Sequence, residues 1–233
     1  MFGDLLTVDN VIQYGVRILI IFMILPVHEF AHAWSAYKMG DKTAYYRGRL
    51  TLNPISHIDP IGALCLLVSG FGWAKPVPIN PLRFKKQRAG TAICAAAGPL
   101  SNLIVAFLAM IVFRVVMSLN YSAETLINFY TQTGGLYYAC LILQYFIMIN
   151  IGLAIFNLIP IPPLDGSKIL SYFTTAEFDR KIEQYQMYIY IGFLVIMFTG
   201  VLDRPLSFVR GGIYDAFVFL TNWVDNLVGL FVK

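Results

Sequence analysis

Four stretches of this chain, about 11–37, 89–118, 136–159 and 186–203, carry few charges and run to the roughly 20 apolar residues that a helix needs to cross a bilayer. No other feature limits the fold as strongly. In hydrocarbon every backbone N–H and C=O must be bonded within the protein, so such stretches are predicted to be helices. A fifth, about 212–232, is long enough but holds Asp215, Asn222 and Asn226, which at a helical period fall within a narrow arc. That arc either faces a bundle interior or lies along the membrane surface, and spanning is the preferred reading. Ile61–Trp73 is apolar but only about 13 residues long and is broken by Gly62, Gly70 and Gly72, which is too short to cross. The predicted fold is an all-α polytopic membrane protein of about five transmembrane helices. A re-entrant, extended membrane-associated loop, about 55–81, lies between the first two, and residues 1–233 form a single domain.

Composition agrees. The chain is 58% hydrophobic and 13% charged, against about 25% charged in ordinary soluble domains. This excludes a disordered chain and argues against a soluble one. A net charge of +4 is too modest to indicate nucleic acid. Cys65, Cys94 and Cys140 all lie in apolar stretches without zinc or redox spacing, and read as small hydrophobes. The first apolar run carries His28, Glu29 and His32 near its end, so no removable targeting segment is expected there.

The basic residues set an expected topology. Lys38, Lys42, Arg47, Arg49, Lys75, Arg83, Lys85, Lys86 and Arg88 all lie between the first two spans, and Lys168, Arg180 and Lys181 follow the third. The opposite loop, about 119–135, has no Lys or Arg; Arg204 and Arg210 are the dissent. The positive-inside rule then puts the N-terminus outside and the basic loops in the cytosol. His28, Glu29, His32 and Asp165 fall toward the cytosolic ends of their segments, in a multi-pass protein of the cell membrane.

Residues His28-Glu29-Phe30-Ala31-His32 match H-E-x-x-H. On a helix, residues i and i+4 share a face, so both imidazoles can bind one Zn²⁺ while Glu29, one step round, reaches a water beside it. Three ionisable groups in one apolar helix are costly and mark function more often than chance. Pro26, just upstream, removes a backbone donor and is expected to kink the helix. Catalytic zinc usually takes three protein ligands. Asp165, directly after Pro160, Pro162 and Pro163, is preferred over His57 or Asp59 because an unpaired carboxylate at that depth is unfavourable. Asp165 could instead cap a helix predicted at Ser167–Phe173, and His57 could be a polar residue of a surface loop.

Taken together, H-E-F-A-H, N-P-I-S-H-I-D-P at 53–60, G-P-L-S-N at 98–102 and N-L-I-P-I-P-P-L-D-G at 157–166 resemble the site-2 protease family of intramembrane zinc metalloproteases. The resemblance covers about residues 15–180, and Gly70–Pro78 is similar to its compact prokaryotic branch. No PDZ-like or CBS-like insert is expected, and no span is expected before the metal-binding one. The resemblance implies one Zn²⁺ per chain held by His28, His32 and Asp165, with Glu29 as general base. It also implies regulated intramembrane proteolysis of transmembrane protein substrates in the lipid bilayer. Asn102 and Asn157 are similar to family asparagines near the site, able to donate to an oxyanion or a substrate backbone; each could equally bond a neighbouring helix. Gly98-Pro99 is expected to be a kink that lets helices approach closely. Segment 68–81 resembles a membrane-dipping loop, and its prolines exclude helix.

Two other function classes compete. A divalent-metal transporter would repeat polar residues along a pathway through several helices, whereas here they cluster at one depth. A catalytically silent scaffold would be expected to lose a motif residue, and none is lost.

Overall fold

The computed structural model describes residues 8–69, 72–120 and 134–230. The predicted outer loop at about 119–135, Gly70 and Phe71 of the glycine-rich stretch, and the end of the last segment lie largely or wholly outside them. The first span is built from α1 (Val8–Leu19), a π-helical turn (Ile20–Ile24) and α2 (Leu25–Lys38). The π turn sits immediately before Pro26. The Leu25 amide bonds the Ile20 carbonyl, so one wide turn takes up the mismatch that a proline ring imposes on the turn before it. After the short helix α3 (Thr43–Tyr46), α4 (Pro60–Ser69) enters beside α1. Arg17 of α1 donates to the Leu67 and Val68 carbonyls that end α4. The chain then returns in extended form over 72–80. A Cβ on Gly62 would lie 2.2 Å from the Trp73 carbonyl oxygen, so α4 and the returning strand are in backbone contact. Ile58 and Ala74 form an antiparallel bridge.

Next come α5 (Gln87–Leu119) and α6 (Gly135–Asn157). Buried Gly90, Cys94, Gly98, Asn102 and Ala106 repeat every four residues along α5, giving one small-residue stripe on which α2 and α6 pack closely. Ala106, Ala109 and Met110 meet Ile147 and Ile151 of α6 in the main apolar core. The expected kink at Pro99 does not interrupt α5, which continues through it as helix.

After α6 come α7 (Asp165–Leu170), α8 (Ala176–Gln184), α9 (Gln186–Phe198), α10 (Asp203–Leu220) and α11 (Trp223–Gly229). Among the described residues, three helices are long and apolar enough to cross a membrane: Tyr14–Lys38, Gln87–Leu119 and Gly135–Asn157. The expected fourth span, 186–203, is a helix of 13 residues, about 20 Å against a hydrocarbon core of about 30 Å. It stops where Gly200 takes a φ of +70°, a left-handed end that favours glycine. The expected fifth, 212–232, is two pieces, because α10 begins at Asp203 and breaks at Thr221. Asp215 and Asn226 therefore do not share one continuous helical face.

Candidate metal centre

His28 and His32 stand one turn apart on α2, and the stripe of α5 lets that helix press against them. A Cβ on Gly98 would sit 2.4 Å from His32 Nε2 and 2.6 Å from His28 Nε2. No side chain larger than hydrogen fits at that position. Asp165 is the first residue of α7, and the preceding prolines end the run from α6 so that its carboxylate turns inward. The helix N-cap is Leu164, with no side-chain cap bond, so the capping role considered for Asp165 is not the one it takes.

Three ligand-type atoms converge. His32 Nε2 is 3.0 Å from His28 Nε2 and 3.1 Å from Asp165 Oδ2, which is 3.3 Å from His28 Nε2. All three residues are buried. His32 Nδ1 lies 2.7 Å from the Cys94 carbonyl oxygen, which can only accept. The proton therefore belongs on Nδ1, and Nε2 faces the cluster with its lone pair. The His32 lone pair thus meets the Asp165 carboxylate, with His28 Nε2 beside both, and one small cation can serve all three. Tetrahedral zinc, with bonds of about 2.0–2.1 Å, spaces its ligand atoms about 3.3 Å apart. The donor set fits it. Among the described residues this is the cluster of His, Cys, Asp and Glu able to hold a metal.

Glu29 shares with His28, His32 and Asp165 a cavity of about 320 Å³. Its Oε2 accepts from the Val77 amide at 3.0 Å. A second cavity of about 480 Å³ meets the first at His28 and Glu29 and is largely apolar, with Trp73, Phe156 and Phe193 among its walls. Asn157 borders both cavities, and its amide donates to the Leu153 carbonyl at 2.9 Å. Asn102 borders the second; it is 1% exposed, and its side-chain amide has no hydrogen-bond partner.

The structure keeps His57 and Asp59 out of this cluster. His57 Nε2 lies 2.7 Å from the Thr51 carbonyl, and Asp59 accepts from the amides of Ile61 and Gly62 at the start of α4. Sequence reasoning missed the Cys94 carbonyl, the Val77 amide and Lys168, whose Nζ is 3.6 Å from Asp165 Oδ1. The first two are backbone groups, which leave no mark in residue types.

A model of peptidase family M50 matches residues 16–199. The protein named "Putative zinc metalloprotease YwhC" of Bacillus subtilis (strain 168) is 41% identical over 205 residues, covering 88% of this chain and 85% of that one. The protein named "Putative zinc metalloprotease Rip2" of Mycolicibacterium smegmatis is 26% identical over 206 residues, 85% of this chain and 73% of that one. Rip2 of Mycobacterium tuberculosis (strain H37Rv) is 27% identical over 204 residues. No solved structure matches the chain.

Proposed function

Because the chain belongs to peptidase family M50, the site-2 protease family, we propose that His28, His32 and Asp165 hold its zinc while Glu29 serves as general base. The protein is an intramembrane zinc metalloprotease, and its family acts on membrane proteins within the bilayer. The observation that carries the residue assignment is the convergence of three ligand-type atoms 3.0–3.3 Å apart on α2 and α7.

Zinc bound there supplies Lewis acidity, which makes a nearby water acidic and polarises a peptide carbonyl. Glu29 takes the proton of the attacking water and delivers it to the departing amine. Its Oε2 is held by the Val77 amide, which leaves Oε1 for proton transfer. Asn102 and Asn157 are the candidate donors to the charge that develops on the carbonyl oxygen. Asn102, with no partner for its amide, has the greater freedom to donate.

A carbonyl inside a substrate helix is poorly open to attack, and unmade hydrogen bonds in hydrocarbon cost several kcal/mol per group. The substrate therefore unwinds locally, and the segment 72–80 offers it a pairing edge. Part of that edge is engaged within the protein: the amides of Lys75, Val77 and Asn80 already donate to His57, Glu29 and Asp41. Residues 1–233 act as one proteolytic domain of five passes. Here α9, apolar after Gln186, lodges in lipid together with α10, and α4 with its returning segment forms the re-entrant loop. The basic residues between the first two spans support a metal centre toward the cytosol with the N-terminus outside.

Comparative membrane proteomics of cells carrying wild type or Glu29→Gln, followed by cleavage of the enriched membrane proteins in proteoliposomes, tests the reading. Glu29→Gln should keep its zinc and lose about 10²–10⁴-fold in turnover. Unchanged peptide-bond cleavage by this variant overturns the mechanism.

A further inference from the structure

We infer that Arg49 is a positioning residue for Glu29, acting through the peptide bond between Pro76 and Val77. The inference rests on the reading of Glu29 as general base and names what holds it in place.

Arg49 is 8% exposed, unusual for a side chain that almost never goes fully under unless its charge is engaged. Its guanidinium donates to the Lys75 carbonyl at 2.5 Å and lies 3.4 Å from the Pro76 carbonyl. The second of these belongs to the same peptide group as the Val77 amide. That planar unit thus has its C=O facing a cation and its N–H donating to Glu29 Oε2 at 3.0 Å. The cation orients the plane, and a carbonyl that accepts from a cation makes its own N–H a stronger donor. Pro76 and Pro78, on either side, have no N–H, so within this three-residue run only Val77 can supply the bond.

The rest of the loop is braced to the same end. The Lys75 amide donates to the His57 carbonyl at 2.9 Å, and the His57 ring is tied to Thr51. On the other side, Val77 packs with Ala33, one turn beyond Glu29 on α2, and with Ala44 of α3. Removing Arg49 leaves this apolar packing and the zinc ligands intact while freeing the 76–77 peptide to rotate. A rotated plane loses the bond to Glu29, and the carboxylate then wanders among rotamers.

The test uses full-length protein in proteoliposomes with a substrate found as above. Arg49→Ala should keep wild-type zinc per chain and a KM within about threefold, while kcat falls about 10–100-fold; Arg49→Lys should recover part of that loss. Hydrogen exchange at the Val77 amide should speed up in both Arg49→Ala and Glu29→Ala, a readout that needs no turnover. If Arg49→Ala fails to hold zinc, Val77→Pro, which deletes the N–H and leaves Arg49 in place, must give the same kcat loss at constant KM. Unchanged kcat, a loss confined to KM, or wild-type exchange at Val77 overturns the inference. A Glu29→Gln variant that still cleaves condemns the base assignment instead, and the Val77 exchange rates judge Arg49 separately.

Discussion

Two polar clusters interrupt the apolar helices, and they are built on opposite rules. Near the C-terminal end of α5, Arg114 pairs with Asp225 of α11 and also donates to Asn222 and to the Val218 carbonyl, while Ser118 donates to Asp225. Every charge there meets its complement inside the protein. In the cluster of His28, His32 and Asp165 the lone pair of His32 Nε2 faces the Asp165 carboxylate, and the His32 proton, on Nδ1, points away to Cys94. A satisfied cluster joins helices. Ligand-type atoms held this close by packing suit a small cation.

That contrast can be broken at several points. The largest effect should come from Gly98→Val, whose Cβ would fall 2.4 Å from His32 Nε2. Zinc affinity and cleavage should both drop at least about 100-fold, as measured by metal competition and peptide-bond hydrolysis. Full zinc binding in this variant would mean that α5 does not confine the ligands. Asp225→Asn disturbs the other cluster and should behave differently. Asp225 is half exposed at its side chain, so the loss should be about 1 kcal/mol or less, a fall of a few °C in the melting temperature. Zinc per chain should stay at the wild-type value. A loss of zinc would show that the two clusters are coupled along α5.

The smallest effect concerns Asp41, a carboxylate satisfied in the manner of the Arg114 cluster but outside the spans. Burial by itself would raise its carboxyl, yet the Asn80 amide, the Thr43 hydroxyl and amide, and the Arg83 cation outweigh it and hold the group below the usual carboxylate range. A folded-state pKa below the unfolded one adds stability that is present in full above the ordinary value of 3.8. It is lost as pH falls toward the folded value. Thermal unfolding of wild type against Asp41→Asn should therefore show a difference at pH 7 that shrinks toward pH 3. A difference independent of pH would contradict the assignment.

Much of the metal centre was legible because its chemistry lives in side chains. The i,i+4 spacing of His28 and His32 needs only a helix, and Asp165 stands out as a carboxylate just past a proline-broken span. The helix-packing role of Gly98 was legible too, though not that it faces the ligands themselves. What stayed hidden is carried by backbone atoms and by element ends. The Cys94 carbonyl and Val77 amide act through groups that every residue has. Arg49 looked like one more basic residue of a cytosolic loop, and only folding turns it onto the strand beside Glu29. The ends of the later segments were hidden for a related reason: an apolar run shows where a helix can be, but the left-handed Gly200 and the break at Thr221 decide where it stops.

The central claim is that α2 and α7 together complete a zinc site that the loop histidine does not share. Zinc content of purified wild type, Asp165→Ala and His57→Ala, measured side by side in detergent, tests it most directly. One zinc per chain in wild type and His57→Ala, with nearly none in Asp165→Ala, is the predicted result. Zinc lost from His57→Ala and kept in Asp165→Ala would contradict it.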